Sequence, residues 1–432
     1  MSKNALVLGG GGAKGSYQIG VWKALNKLGW DFQTVTGTSV GALNGALVIQ
    51  NNYELAEELW LTMETKKIIE SENANSITEA THNLKLTEKA LNALPSKETG
   101  LSTEPLGKLL HEYVDEEKIR KSQKDFGLIT VLMDSHKLLP QSLFIEDIPQ
   151  GYLVDYLWAS SSFFPALKTH IIDGKHYIDG GYHDNIPITL ALKKDVDSVL
   201  AVDLNAIGFT KEPPLQPNQK LITIKPFWDL GAIFNFTGKT TKRNITLGYL
   251  DTLKAFKELK GCYYTFENQA FTQNNHTRKT KLAQITDIMK ENEKNPLLAL
   301  VTNSTTKILE KKYRNKFTTA NNLLEIGAEA AGEIFNLSPE LIYSEITFIE
   351  TLEKAVKNYL LAQKLYDDFG FNTTKSLQKK LLSLDTQGRT MLLQQHLTST
   401  FSDHSSTAEE TLAVLFPQEF MAATFLWANN IG

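Results

Sequence analysis

The chain has almost no cysteine: Cys262 stands alone among 432 residues. A disulfide within the chain is therefore excluded, and the sequence suits a reducing compartment. Cys262 reads as a packed small hydrophobe and not as a reactive thiol. Long apolar runs are missing too. No stretch approaches the roughly 18 residues that a spanning helix needs, so none is expected. The opening run Ala5-Leu6-Val7-Leu8 is too short for a signal-peptide core and breaks into glycines. The expected location is cytoplasmic, with peripheral membrane association if the substrate is a lipid. Charge of one sign is also scarce: 45 basic against 49 acidic residues leave a net charge of −4, which argues against a general nucleic-acid binder. What is present is ordinary globular material, 42% hydrophobic and 22% charged, enough for large cores.

The first half alternates strand and helix signals with glycine-rich junctions. Ala5 to Leu8 reads as a buried strand entering Gly9-Gly10-Gly11-Gly12. Ser16 to Leu28 carries Tyr17, Val21, Leu25 and Leu28 at helical spacing. Thr34-Val35-Thr36 is a β-branched strand, and Val40 to Ile49 a small-residue helix. Ile129–Met133, Val199–Leu204 and Leu221–Ile224 are strand-like. His170 to Ile178 forms a hairpin about an Asp173-Gly174 type I′ turn, and Lys211 to Asn218, with three prolines, is a surface loop. This order predicts an α/β fold, a mostly parallel central sheet with helices on both faces, over residues 1–265. Beyond about 265–275 the glycine and strand signals thin out. Leu323–Phe335, Ser344–Phe369 and Glu409–Asn429 show three- and four-residue apolar spacing, so 266–432 is expected to be mainly α-helical.

Three segments can carry chemistry. Gly37-Thr38-Ser39-Val40-Gly41 is a G-x-S-x-G between strand and helix. A serine there sits on a tight turn with its hydroxyl exposed and the positive end of the helix behind it. Gly37 and Gly41 keep the strand–helix crossing uncrowded. The second segment, Gly9 to Ser16, brings bare amides before a helix, an anion cradle. It fits G-x-G-x-x-G at Gly10, Gly12 and Gly15, with Asp31 about 20 residues on, so a dinucleotide site competes. A P-loop fails because Gly15 follows Lys14. The remaining reading is an oxyanion hole for Ser39 from Gly10, Gly11 and Gly12. The third segment, Asp179-Gly180-Gly181, ends the hairpin strand. Alone it is a turn; beside the other two it supplies a base.

In this order, these elements resemble the patatin-like phospholipase family, whose members carry a GGGxxG-type loop, a GxSxG serine and a DGG or DGA aspartate. The resemblance extends to Gly100-Leu101 through Pro105-Leu106 and Leu109-Leu110. It takes in Ala159-Ser160 with Pro165, as an ASxxxP stretch, and Asn185 with Pro187 after the DGG. It ends with Asn244-Ile245, Gly248-Tyr249 and Asp251-Thr252, covering about residues 4–260. Lys14 stands where many members have arginine. The resemblance implies a Ser39–Asp179 dyad without a catalytic histidine, hydrolysis of acyl-lipid esters, and no cofactor or metal. A free aspartate near pKa ~4 is a poor base for a serine, and burial would raise it.

Rival readings remain at this level. His183, four residues after Asp179, offers a triad, although the family pattern uses no histidine there. A nucleotide enzyme using the glycine loop, or a silent hydrolase scaffold that only binds, are the other classes. Phe163-Phe164 or Phe227-Trp228 could line an acyl channel, the apolar end from Leu412 to Ile431 could form an interfacial helix, and the basic stretch Lys307, Lys311, Lys312, Arg314 and Lys316 could meet anionic headgroups. In each case a core or solvated face is the plainer alternative.

Overall fold

The computed structural model describes residues 3–70, 99–134, 137–272, 276–291, 307–314, 320–363, 380–403 and 415–432. The chain forms two compact units, Met1–Phe256 and Lys257–Gly432.

The first unit is built on one eight-stranded sheet. Its strands are β1 (Asn4–Leu8), β2 (Thr34–Thr38), β3 (Asp125–Asp134), β4 (Lys137–Phe144), β5 (His170–Ile172), β6 (Lys175–Asp179), β7 (Ser198–Val202) and β8 (Lys220–Ile224). They lie in the order β5-β6-β3-β2-β1-β7-β8, with β4 also on β3. The five strands β3-β2-β1-β7-β8 are parallel; at one side β4 and β6 pair antiparallel with β3, and β5 pairs antiparallel with β6. The fold is thus mostly parallel, as the alternating pattern predicts. The β5–β6 hairpin turns on Asp173 and Gly174, both at positive φ (49° and 74°), as a type I′ turn requires.

Both faces of the sheet are covered, which explains why its central strands read as unbroken apolar runs. On β1, Ala5 and Val7 pack with Ile186, Ile188 and Val199 on one side. Leu6 and Leu8 join the larger core on the other, with α1 (Ser16–Leu28), α2 (Val40–Ile49) and α3 (Tyr53–Leu61). On that side too lie α4 (Glu104–Tyr113) and α5 (Leu153–Ser160). The last helix of the unit, α6 (Gly238–Ala255), lies against α1. The approach is close because Gly20 and Gly248 face the opposing backbones: a Cβ on Gly20 would meet the Ile245 carbonyl oxygen at 1.8 Å. Around this crossing the Tyr17 hydroxyl donates to Asp251 at 2.7 Å, and Asp251 pairs with Lys254 at 2.9 Å. The Asn244 to Thr252 pattern therefore belongs to a helix–helix seam.

The second unit is mainly helical, with α7 (His276–Glu291), α8 (Ala320–Ile334), α9 (Glu345–Gln363), α10 (Thr386–Asp403) and α11 (Pro417–Ala428). A two-stranded parallel pair, β9 (Thr265–Phe266) with β10 (Ile342–Tyr343), adds strand the sequence pattern does not announce. Tyr264, Phe266, Phe271, Tyr343, Phe348 and Phe425 form an edge-to-face aromatic cluster. The buried Glu329 carboxylate accepts the amides of Cys262, Tyr263 and Tyr264. The C-terminal helix is docked and not interfacial: Phe420, Phe425, Leu426 and Trp427 are all buried. Residues 404–414, including Leu412, and Lys316 lie outside the described residues. Within the basic stretch, Lys312 is held by Glu333 at 3.0 Å.

Candidate active site

The site arises where two strands stop head to head on a third. β2 climbs β3 in parallel register and ends with Thr38 opposite Ile129. β6 comes along the same side of β3 from the other direction and ends with Asp179 opposite Thr130. The residues leaving the two ends therefore meet. Ser39 and Asp179 line the same cavity, with the hydroxyl near enough to favour the ionised form of the Asp179 carboxyl. The 140 positions between them in the chain (179 − 39) vanish in space because β3 is their common template.

Ser39 holds a backbone angle that side chains rarely adopt, φ 56° and ψ −130°, immediately before α2. Neighbouring contacts hold it there. Its amide donates to the Ser160 hydroxyl at 2.9 Å, and that hydroxyl donates to the Ile129 carbonyl at 2.7 Å. Thr38 Oγ1 ties the preceding residue to the Asp184 carbonyl at 2.8 Å. The flanking glycines are dictated by contact: a Cβ on Gly37 would fall 2.2 Å from the Gly41 oxygen, and one on Gly41 2.0 Å from the Leu8 oxygen.

Asp179 is 3% exposed. Burial pushes its pKa up to about 7, against the opposing pull of the nearby Ser39 hydroxyl and of the Gly181 amide, which donates to the carboxylate at 2.7 Å. Gly180 follows because a Cβ there would lie 2.2 Å from the Ile129 oxygen.

The glycine loop stands on the same edge of the sheet, since β1 and β2 are parallel. Its amides are not equivalent, and here the sequence expectation needs narrowing. The Gly9 amide donates to Val202 and the Gly10 amide to the Asn185 carbonyl at 3.1 Å, so Gly10 has no donor left for a ligand. Gly11 and Gly12 line the same cavity as Ser39, and their amides have no protein acceptor among the described residues. Gly12 sits at φ 55°, and Gly15 packs against Val40 and Trp60. Asn185, which the sequence offers only as part of the pattern after Asp179-Gly180-Gly181, clamps this loop. It is buried, accepts from Gly10, and its side chain lies over Gly10 and Gly181.

The cavity encloses about 1190 Å³, mouth included. Its floor near the loop holds Ser39, Asp179, Gly11 and Gly12. From there it runs between α2 and α4, past Leu43, Leu47, Leu106, Leu110 and Tyr113. Among the described residues, Asp179 is the only carboxylate or ammonium group lining it. Phe163 lines it, whereas Phe164 is core; Phe227 and Trp228 are not among the lining residues. α4 is an ordinary amphipathic helix and α2 is apolar on nearly every face, so nothing in the sequence separates cavity wall from core.

Two rival readings meet obstacles. His183 does not line the cavity; its Nε2 faces Lys211 Nζ, and burial together with that cation lowers its pKa. Asp31 precedes β2, pairs with Lys124 at 2.9 Å, and accepts through its carbonyl from Asn4 at the start of β1. It is thus at the opposite end of β1 from the glycine loop, too far to share a dinucleotide with it.

These features define an α/β domain with a half-buried serine and a buried aspartate at the carboxyl ends of two strands, opening on an apolar cavity. Residues 6–192 match the model of the patatin-like phospholipase family. Lysophospholipase NTE1 of Mycosarcoma maydis is 26% identical over 268 residues, 60% of this chain and 13% of that protein. Human patatin-like phospholipase domain-containing protein 6 is 28% identical over 206 residues, 47% of this chain and 13% of the relative. The chain thus spans about an eighth of the length of these curated relatives. Among solved structures, VipD from Legionella pneumophila aligns over 99% of this chain and 90% of its own, at 14% identity and a TM-score of 0.33. No helix among the described residues is long and apolar enough to cross a membrane.

Proposed function

We propose that the protein is a serine acyl-hydrolase that cleaves carboxylic ester bonds of phospholipids, lysophospholipids or related acyl lipids. The observation that carries this reading is the meeting of Ser39 and the buried Asp179 in a leucine-lined cavity. The names of the relatives, lysophospholipase and patatin-like phospholipase, support the substrate class.

In this mechanism Asp179 takes the Ser39 hydroxyl proton as Oγ attacks the ester carbonyl. A carboxylate that titrates near 7 is matched to that task at neutral pH, which removes the difficulty an ordinary aspartate presents. The oxyanion is held by the Gly11 and Gly12 amides, a type of stabilisation worth about 3–4 kcal/mol when donors are preorganised. Collapse breaks the ester C–O bond, and the leaving alcohol takes the proton from Asp179. Water then attacks the acyl-enzyme, again giving its proton to Asp179, and Ser39 is regenerated with release of the fatty acid. The acyl chain occupies the passage between α2 and α4 while the polar headgroup stays outside. The test is product analysis: lysophosphatidylcholine incubated with the parent protein should release free fatty acid, and Ser39→Ala should release none. Equal release from both would refute the assignment.

A further inference from the structure

Between β7 and β8 the chain makes a long excursion without regular structure. Its first part, Asn205 to Lys211, carries two large apolar side chains in the open: Ile207 is 48% exposed and Phe209 49%. Exposed apolar residues singly need no explanation, but these two are neighbours at one place, and the place is the mouth of the cavity. Ala206 and Ile207 line the same cavity as Ser39.

The segment is also fixed, which separates it from a loose loop tip. The Phe209 amide donates to the Gly181 carbonyl at 2.8 Å, and the Phe209 carbonyl accepts from the Asn185 amide at 2.5 Å. Gly208 lies flat on Asn185; a Cβ there would come within 2.6 Å of the Asn185 side chain. So the chain is pinned by backbone to the turn that carries Asp179 and to the residue that clamps the glycine loop. Pinning Gly208 inward leaves Ile207 and Phe209 facing water on either side of it. Folding spends hydrogen bonds to hold apolar surface outside, an arrangement that gains only if something apolar meets it. Ile207-Gly208-Phe209 itself carries no charge, and the nearest charges along the chain after it, Lys211 and Glu212, are of opposite sign.

We propose that Ile207-Gly208-Phe209 is the element that seats the protein on a lipid–water interface, with Phe209 entering the acyl region and Ile207 continuing that apolar surface into the cavity. The partner is a lipid bilayer or micelle surface, and the contact is hydrophobic, not a recognition of anionic headgroups. This rests on the acyl-hydrolase reading for its purpose: an acyl chain leaving the interface along Ile207 reaches Ser39 without crossing bulk water.

The experiment uses the full chain in a Ser39→Ala background, so that vesicles stay intact, and phosphatidylcholine vesicles as the probe. The Ser39→Ala protein should co-sediment, with little change when salt is raised, because hydrophobic contact is not screened. Adding Phe209→Ser should lower the bound-to-free ratio roughly tenfold, the loss of one half-exposed aromatic's burial. Phe209→Trp should bind at least as well as the parent. In the active chain, Phe209→Ser should slow hydrolysis of aggregated lysophosphatidylcholine while leaving a soluble short-chain ester untouched. The proposal is overturned if the Ser39→Ala protein does not sediment, if Phe209→Ser sediments like it, or if Phe209→Ser loses the soluble-ester activity in parallel. Hydrolysis of the soluble ester surviving Ser39→Ala would instead sink the hydrolase reading and leave the sedimentation result standing by itself.

Discussion

Replacing Asp179 by asparagine should make the protein more stable at neutral and alkaline pH while abolishing its activity. The carboxyl is buried and titrates near 7, against an ordinary 3.8. The sign follows from proton linkage. Below 3.8 the group is neutral in both the folded and unfolded chain and costs nothing. Between 3.8 and about 7 the unfolded chain releases the proton and the folded chain keeps it, so stability falls as pH rises; above 7 both are ionised and the loss levels off. At about 1.36 kcal/mol per pH unit, the full loss is roughly 4 kcal/mol, of which more than half accrues between pH 5 and pH 8. Asparagine, similar in shape and uncharged throughout, is free of this cost. The assay is urea unfolding of both proteins at pH 5 and pH 8, followed by the signal of the N-terminal unit. The stability advantage of Asp179→Asn should grow by roughly 2–3 kcal/mol from the lower to the higher pH. An advantage that is constant with pH, or that shrinks, would refute the claim that this carboxyl is held near neutrality by burial.

Other outcomes follow from the same geometry. The kcat/KM of the parent for a soluble ester should rise with pH through about 7 as Asp179 ionises, and a pH–rate profile flat from 5 to 8 would contradict its role as base. Ser160→Ala removes the hydroxyl between the Ser39 amide and the Ile129 carbonyl; kcat should fall about five- to thirtyfold with KM little changed, the cost of one buried unsatisfied group at the turn. Leu47→Trp narrows the passage along α2 and should lower kcat/KM for long acyl chains about tenfold relative to short ones, measured with an ester series. His183→Ala should leave hydrolysis within about twofold of the parent, since its ring faces Lys211; loss of activity with folding intact would restore the triad.

Much of the catalytic half was legible because its signals are local. The apolar run of β1, the Asp-Gly turn of the β5–β6 hairpin and the helices at Ser16–Leu28 and Val40–Ile49 each follow from periodicity or turn chemistry. Gly37, Ser39, Gly41, Asp179 and Gly180 were readable for the same reason: each sits at a strand end whose close packing admits few residue types. What stayed hidden depends on register. Only the alignment of Thr38 and Asp179 on adjacent positions of β3 shows how Ser39 meets its carboxylate, and β3 itself runs longer than its Ile129–Met133 core suggests. β4, half-exposed and containing Pro140, gives no clean alternation. The engagement of the Gly10 amide by Asn185 is a backbone contact across 175 positions, which no composition reveals. The cavity was invisible because Leu43, Leu47, Leu106 and Leu110 look like core leucines; they differ only in facing a gap. In the second unit, the strand pair seen among the described residues is too short, two residues each, to leave a period.

The most direct measurement is covalent. A fluorophosphonate should modify the folded protein at Ser39 alone, as peptide mass mapping would show, with a labelling rate that rises through about pH 7 and collapses in Asp179→Asn. Modification at another serine, or undiminished labelling of Ser39 when Asp179 is asparagine, would contradict the account.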